Sequence, residues 1–198
     1  MRIAATFSIN EGKDRIAQSR QNELLEIQKA ISEINAEECK KKMSKEKGRE
    51  GKLLYSPRLI NEAFEAQLEA RGWERCLMKG GFSITHYVEG YKPLTPEGRP
   101  GKSPSREIDF AKNLLGLEVQ FGPYDSFGYN IFLKMPLFAA QKKITCGVII
   151  IPVKAFAREM STGVTNFEQC IWDLENRGLS SVDIPILIIG IDADSDMN

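Results

Sequence analysis

The sequence is poor in the residues that build metal cages and disulfide frameworks. Its four cysteines, Cys39, Cys76, Cys146 and Cys170, stand far apart with no C-x-x-C pair, and His86 is the single histidine. That spacing argues against a structural zinc site and leaves reduced thiols as the expectation, with Cys146, at the start of an apolar run, read as a small core residue. Long apolar runs are missing too. Val148–Val153 and Ile184–Ile191 fall far short of the roughly 20 residues that a spanning helix needs. Met1–Asn10 has no apolar stretch of the signal-peptide kind, so a cytoplasmic protein without membrane contact is expected. Net charge is also lacking: 27 basic residues balance 27 acidic ones. The composition as a whole therefore exerts no overall pull on a polyanion.

The 198 residues, 42% hydrophobic and 27% charged, are ordinary for a globular protein and enough for a full core. We expect one domain over residues 1–198, with an irregular loop or small subdomain at about 79–106, where glycine, proline and lysine crowd together without a sustained period. The charge is unevenly spread. Between Lys40 and Lys52 seven basic residues face two acidic ones, and from Asp183 onward there are four aspartates and no base. A basic segment on a neutral protein can contact phosphates, or it can be a solvated helix end.

Periodicity supplies the elements. Leu24, Ile27, Ile31 and Ile34 predict a helix from about Gln21 toward Lys42. Ser56 and Pro57 open a second helix, Leu59, Ile60, Ala63, Phe64 and Leu68 form its apolar face, and Gly72 closes it before Trp73, which should pack on the core. Glu107–Phe110 and Leu115–Phe121 read as strands joined near Lys112–Asn113. Phe127–Gln141 reads as a helix that Pro136 should kink or interrupt. Thr145–Val153 is a buried strand, Lys154–Met160 a short helix, Ser161–Thr165 a polar loop, Asn166–Arg177 a helix and Ile184–Ile191 a last buried strand. Phe167 and Trp172 are expected in the core or at a dimer contact. The order helix, helix, strand, strand, helix, strand, helix, strand predicts an α/β fold with a mixed central β-sheet flanked by helices.

One cluster in this pattern carries chemistry. Side chains alternate along a strand, so Glu118 and Gln120 project together while Val119 turns inward. If the preceding strand pairs with this one, Asp109 arrives beside Glu118. Two converging carboxylates call for a shared proton or a cation, and hard oxygen ligands suit Mg²⁺.

The segment Ile108-Asp109-Phe110, followed after a seven-residue stretch ending in Leu117 by Glu118-Val119-Gln120-Phe121, resembles the active-site hairpin of the BglII/BstYI group of type II restriction endonucleases, a branch of the PD-(D/E)xK superfamily. The spacing of nine from Asp109 to Glu118 and the glutamine in place of the usual lysine at position 120 both belong to that branch. The likeness continues through Cys39, Ser44-Lys45-Glu46-Lys47, Leu54-Tyr55-Ser56-Pro57, Asn61-Glu62-Ala63-Phe64, Gly72-Trp73 and Glu159-Met160-Ser161-Thr162-Gly163. Val164-Thr165-Asn166-Phe167-Glu168 and Ile188-Ile189-Gly190 are also similar to BamHI. The resemblance covers about residues 21–191, apart from the 79–106 loop.

This resemblance implies site-specific hydrolysis of duplex DNA at a short palindrome with a GATC core, leaving four-base 5′ overhangs with 5′-phosphates. It implies Mg²⁺ held by Asp109, Glu118 and the Val119 carbonyl, with Gln120 positioning the attacking water. A neutral amide has no useful proton affinity in this range, so Gln120 is not the general base. Lys45 and Lys47 would meet phosphates, and Ser126, Ser161 and Thr162 would read bases. Ser161 and Thr162 have an alternative reading as the N-cap of the next helix. Where relatives carry a polar residue two positions after the Phe, Pro123 stands here, with one residue inserted, so the outer base pair is expected to be read differently or not at all. A homodimer matches the two-fold symmetry of a palindrome, and a cognate DNA methyltransferase is the expected partner. The rival readings are a repair-type nuclease with the same chemistry and a DNA-binding relative without catalysis.

Overall fold

Alternation along the strand Cys146–Pro152 decides the architecture. Val148 and Ile150 join one buried apolar cluster, and Ile149 and Ile151 join another. A strand buried on both faces needs a layer on each side and cannot lie at a sheet edge. In the computed structural model, which describes residues 1–81, 85–91, 104–179 and 182–193, this strand lies inside a six-stranded sheet. The elements run β1 (Arg2–Ile9), α1 (Gly12–Ser19), α2 (Gln21–Glu33), β2 (Lys42–Met43), β3 (Leu53–Leu54), α3 (Pro57–Glu69), β4 (Glu74–Lys79), β5 (Ser105–Lys112) and β6 (Leu115–Val119). Then come α4 (Tyr124–Tyr129), a π turn (Asn130–Lys134), α5 (Met135–Ala140), β7 (Cys146–Pro152), α6 (Lys154–Arg158), α7 (Phe167–Arg177) and β8 (Ile186–Asp192).

The sheet order is β1-β8-β7-β6-β5-β4, with β2 and β3 forming a separate two-stranded ribbon. β6, β7 and β8 are parallel, while β4, β5 and β1 join antiparallel to their neighbours. The predicted mixed α/β sheet flanked by helices is thus the observed fold. Ile27, Ile31, Ile60, Phe64 and Trp73 cover one face of the sheet. Phe127, Ile131, Phe138 and Leu174 cover the other. Trp73 is 1% exposed, as expected of a core residue, and its indole N–H donates to Glu26.

Several expectations need correction. β1, α1, β4 and the β2–β3 ribbon are absent from the sequence-based order. β1 and β4 are the edge strands, each with many exposed positions, so the alternation that marks a half-buried strand is weak in them. The first helix stops at Glu33 instead of running toward Lys42. There the backbone extends at Ile34, and Asn35 caps a 3₁₀ turn by accepting from the Glu37 N–H. Pro136 does not interrupt its helix, because the π turn before it absorbs the missing donor, with the Met135 N–H reaching back five residues to the Asn130 carbonyl. The expected loop at 79–106 is shortened at both ends by β4 and β5. Residues 85–91 form turns, and the rest of the expected loop lies largely outside the described residues. Of the two aromatics on α7, Phe167 packs against the core and Trp172 is 59% exposed.

Two close approaches fix how layers meet the sheet. A Cβ on Gly12 would stand 2.3 Å from the Ile186 carbonyl oxygen, and one on Gly190 would stand 2.8 Å from the Phe167 ring. Both positions need glycine because the partner is a backbone or a packed ring. The β5–β6 hairpin, by contrast, turns on Asn113 and Leu114, both at positive φ (48° and 64°), one residue later than expected. Two-residue turns of this kind favour glycine at the second position, and Leu114 is 45% exposed. Leu114→Gly is therefore expected to stabilise the protein by about 0.5–1 kcal/mol, the left-handed penalty less the entropy of the added glycine. Urea denaturation measures it, and a loss of stability would mean that the Leu114 side chain contributes packing.

Candidate active site

The site grows from the point where the β5–β6 ladder stops. The register Phe110↔Leu117, Ala111↔Gly116, Lys112↔Leu115 places Asp109 opposite Glu118 at its open end. On its other side β5 carries a bulge: Glu74 pairs with Ala111 and Cys76 with Ile108, so Asp109 and Phe110 together face Arg75. A bulge of this kind bends the strand and re-aims a side chain. Asp109 Oδ2 accepts from the Val119 N–H at 3.0 Å, which locks the carboxylate across the gap where the ladder would have continued.

Glu118 occupies a position that alternation gives to an apolar residue. Leu117 and Val119 point into the α2–α3 side of the core, and Glu118 points to the opposite face, 2% exposed. Lys134 Nζ donates to Glu118 Oε2 at 2.8 Å, whereas Oε1 is buried with no hydrogen-bond partner among the described residues. Burial and then the charge of Asp109 push the Glu118 carboxyl up to about 7, against the opposing pull of Lys134. Asp109 is raised as well, chiefly by the protein packed around it, with the Val119 N–H pulling it back. Two carboxylates held this close in a low-dielectric place favour any arriving cation.

Gln120 lies on the same side of the strand as Glu118, 8% exposed. Its Oε1 accepts from Asn130 Nδ2 at 3.1 Å, its Nε2 approaches the Pro123 carbonyl at 3.4 Å, and its main-chain N–H continues the parallel pairing to the Ile150 carbonyl. Asp109, Phe110 and Val119 also line a cleft of about 180 Å³ together with Asn61, Glu65 and Arg75. Arg75 bonds Glu65 and Glu107 at the rim of that cleft. Among the described residues no group of three or more His, Cys, Asp or Glu side chains could hold a metal. Metal ligands from side chains would therefore be Asp109 and Glu118, with the Val119 carbonyl beside them. The unpartnered Glu118 Oε1 is what a hard cation would satisfy, so these residues fit Mg²⁺.

Of the expected DNA-contacting residues, Ser126, Ser161 and Thr162 come from two segments that meet beyond the C-terminal ends of β6 and β7, while Lys45 and Lys47 lie between β2 and β3. Pro123 bridges to Val164, and the Thr165 N–H donates to the Gly122 carbonyl. Ser126 lies in the first turn of α4, its N–H donating to the Pro123 carbonyl. The N-cap alternative for Ser161 and Thr162 does not hold, because Asn166 caps α7 by accepting from the Gln169 N–H. The basic segment is stitched to the same loop. Lys42 bonds Ser161, Glu46 takes both the Thr162 N–H and its hydroxyl, and Lys52 pairs with Glu159 at 2.8 Å. Arg49 reaches the carbonyls of Arg158 and Met160. Lys45 and Lys47 are exposed, and none of the described residues forms an ion pair with either.

Sequence reasoning did not nominate Asn130, Lys134, Glu65 or Arg75. Asn130 and Lys134 lie in the expected helix, but only the sheet's position shows which helical residues face Glu118 and Gln120. Arg75 belongs to an edge strand that the pattern did not reveal.

Comparisons with known proteins bear on the fold and the family. A search of curated proteins finds no match. The structure is similar to that of restriction endonuclease BglII complexed with a DNA 16-mer, with a TM-score of 0.72 and 19% identity over 99% of this chain and 80% of that one. It is also similar to free BglII, with a TM-score of 0.61 and 17% identity over 99% of this chain and 82% of that one. The model of the family described as restriction endonuclease BglII/BglIII matches residues 4–191. The chain therefore belongs to the BglII/BglIII restriction endonuclease family.

Proposed function

We propose that this chain is a type II, Mg²⁺-dependent deoxyribonuclease that cuts duplex DNA at a short palindrome with a GATC core, leaving four-base 5′ overhangs with 5′-phosphates. The observation that carries the reading is Asp109 set opposite Glu118 at the open end of the β5–β6 ladder, with Glu118 Oε1 buried and unpartnered, in a member of this family. The arrangement has the PD-(D/E)xK form, with Gln120 in the lysine position and a relation to BamHI as part of the same reading.

Asp109, Glu118 and the Val119 carbonyl would hold the metal, which supplies a polarised scissile phosphate and a bound water of lowered pKa. With the carboxylates as ligands and a neutral amide at position 120, the metal or the substrate's own phosphate would activate the attacking water. Gln120, fixed by Asn130, would orient that water without accepting its proton. Lys45 and Lys47 would contact phosphates and supply affinity without sequence preference. Ser126, at the start of α4, and Ser161 and Thr162, on the loop before α7, would face base edges, the two segments being joined through the Pro123–Val164 bridge. The single endonuclease domain would act as a homodimer, since a palindrome presents two equal half-sites, with a DNA methyltransferase protecting the same site in the host.

The test is digestion of a plasmid in Mg²⁺ followed by sequencing of the ends. Discrete bands with GATC overhangs are expected, with flanking positions altered or relaxed where Pro123 replaces a polar residue. A smear would point to a repair-type nuclease, and blunt ends or another core would remove the proposed specificity.

A further inference from the structure

Beside the proposed metal position stands a cation that the chain supplies itself. Lys134 Nζ lies 2.8 Å from Glu118 Oε2, and the two side chains are 12% and 3% exposed. Its placement follows from the π turn. Asn130 and Lys134, four residues apart on the helix and so about 6 Å along its axis, meet Gln120 and Glu118. Those two are separated by two strand residues, about 6.6 Å. The spacings match, and the helix runs against the strand, so one turn of widened helix grips Glu118 in β6 and Gln120 just beyond it. Turns of this type recur at functional sites, and Pro136 follows this one after Met135.

The two carboxylates are held in parallel fashion. Asp109 Oδ2 is tied by the Val119 N–H and Glu118 Oε2 by Lys134, while Glu118 Oε1 is sealed from solvent without a partner. An ammonium that merely neutralised the site would have both Glu118 oxygens to share. This one takes one oxygen and leaves the other.

We propose that Lys134 is a positioning residue of the metal site, holding Glu118 by Oε2 from the π turn so that Oε1 is the oxygen presented to the metal. The inference rests on the reading of Asp109 and Glu118 as ligands. Without Lys134 the Glu118 carboxylate loses the one side-chain anchor it has among the described residues, and a buried carboxylate without a partner rearranges or draws in water.

The experiment is Mn²⁺ binding to the DNA-free protein, followed by the electron paramagnetic resonance signal of free Mn²⁺. It compares wild type, Lys134→Met, Lys134→Arg and Glu118→Ala. We expect Lys134→Met to weaken binding at least tenfold, Lys134→Arg to recover most of it, and Glu118→Ala to abolish it. The Mn²⁺ concentration for half-maximal cleavage should rise with the dissociation constant in Lys134→Met. If Glu118→Ala binds Mn²⁺ like wild type, the ligand assignment itself fails and the inference with it. If Glu118→Ala loses binding while Lys134→Met binds as tightly as wild type or tighter, the ligands stand and the role of Lys134 is overturned. Circular dichroism checks folding, and Lys134→Gln replaces Lys134→Met in the same measurement if the latter does not fold.

Discussion

Glu118→Ala is expected to abolish DNA cleavage while leaving specific DNA binding in Ca²⁺ largely intact. Glu118 sits at the meeting point of the two carboxylates, and its Oε1 has no other partner to satisfy. Removing it takes away one of the two proposed side-chain ligands, and among the described residues no group of three or more His, Cys, Asp or Glu could hold a metal instead. Metal-assisted activation contributes on the order of several kcal/mol to a reaction of this type, and each 1.4 kcal/mol is tenfold in rate. A loss of about a thousandfold or more is therefore expected in Mg²⁺. Binding should survive, because Lys45, Lys47, Ser126, Ser161 and Thr162 stand on other segments. Single-turnover cleavage and binding in Ca²⁺, on the same duplex, separate the two effects. Cleavage near the wild-type rate would sink the assignment of the site.

The metal-free protein should lose stability as pH rises through the neutral range. Glu118 ionises near 4.5 when unfolded and at about 7 when folded. Between those values the folded chain keeps a proton that the unfolded chain has released. Stability then falls with rising pH, because the unfolded state binds fewer protons. For a single group this amounts to on the order of 3 kcal/mol between pH 5 and pH 8. Asp109 acts in the same direction, being raised too. Glu23 and Glu159 are lowered, by the Asn113 amide and by Lys52 respectively, so their contribution is complete above their ordinary range and is lost only in acid. Chemical denaturation in a chelator at several pH values is the measurement. Glu118→Gln should retain only the smaller slope due to Asp109, and saturating Ca²⁺ should offset the loss in wild type. Parallel curves for wild type and variant would show that Glu118 titrates normally.

Local pattern in the sequence was enough to determine the central strands, α3 and the carboxylate pair. β7 and β8 are isoleucine-rich apolar runs that only a doubly covered strand can bury. Ser56, Pro57 and Leu59 to Leu68 spell a cap and an apolar face, so the start and face of α3 follow from short-range chemistry. Asp109 and Glu118 are joined by one hairpin, and a hairpin is local: alternation and a short turn already bring its two strands together. The edge strands could not be read this way. β1 pairs with β8 from the opposite end of the chain, and strands exposed at many positions carry little of the periodicity that burial imposes. The surroundings of the pair were likewise decided by the tertiary structure. Lys134 and Asn130 reach Glu118 and Gln120 only because a widened helical turn ahead of Pro136 lies across β6, and Arg75 faces Asp109 only through a bulge between β4 and β5. Hydrophobic period marks which residues are buried, but a buried ion pair between elements depends on how those elements pack. That relation is set by the whole core and not by any segment of it.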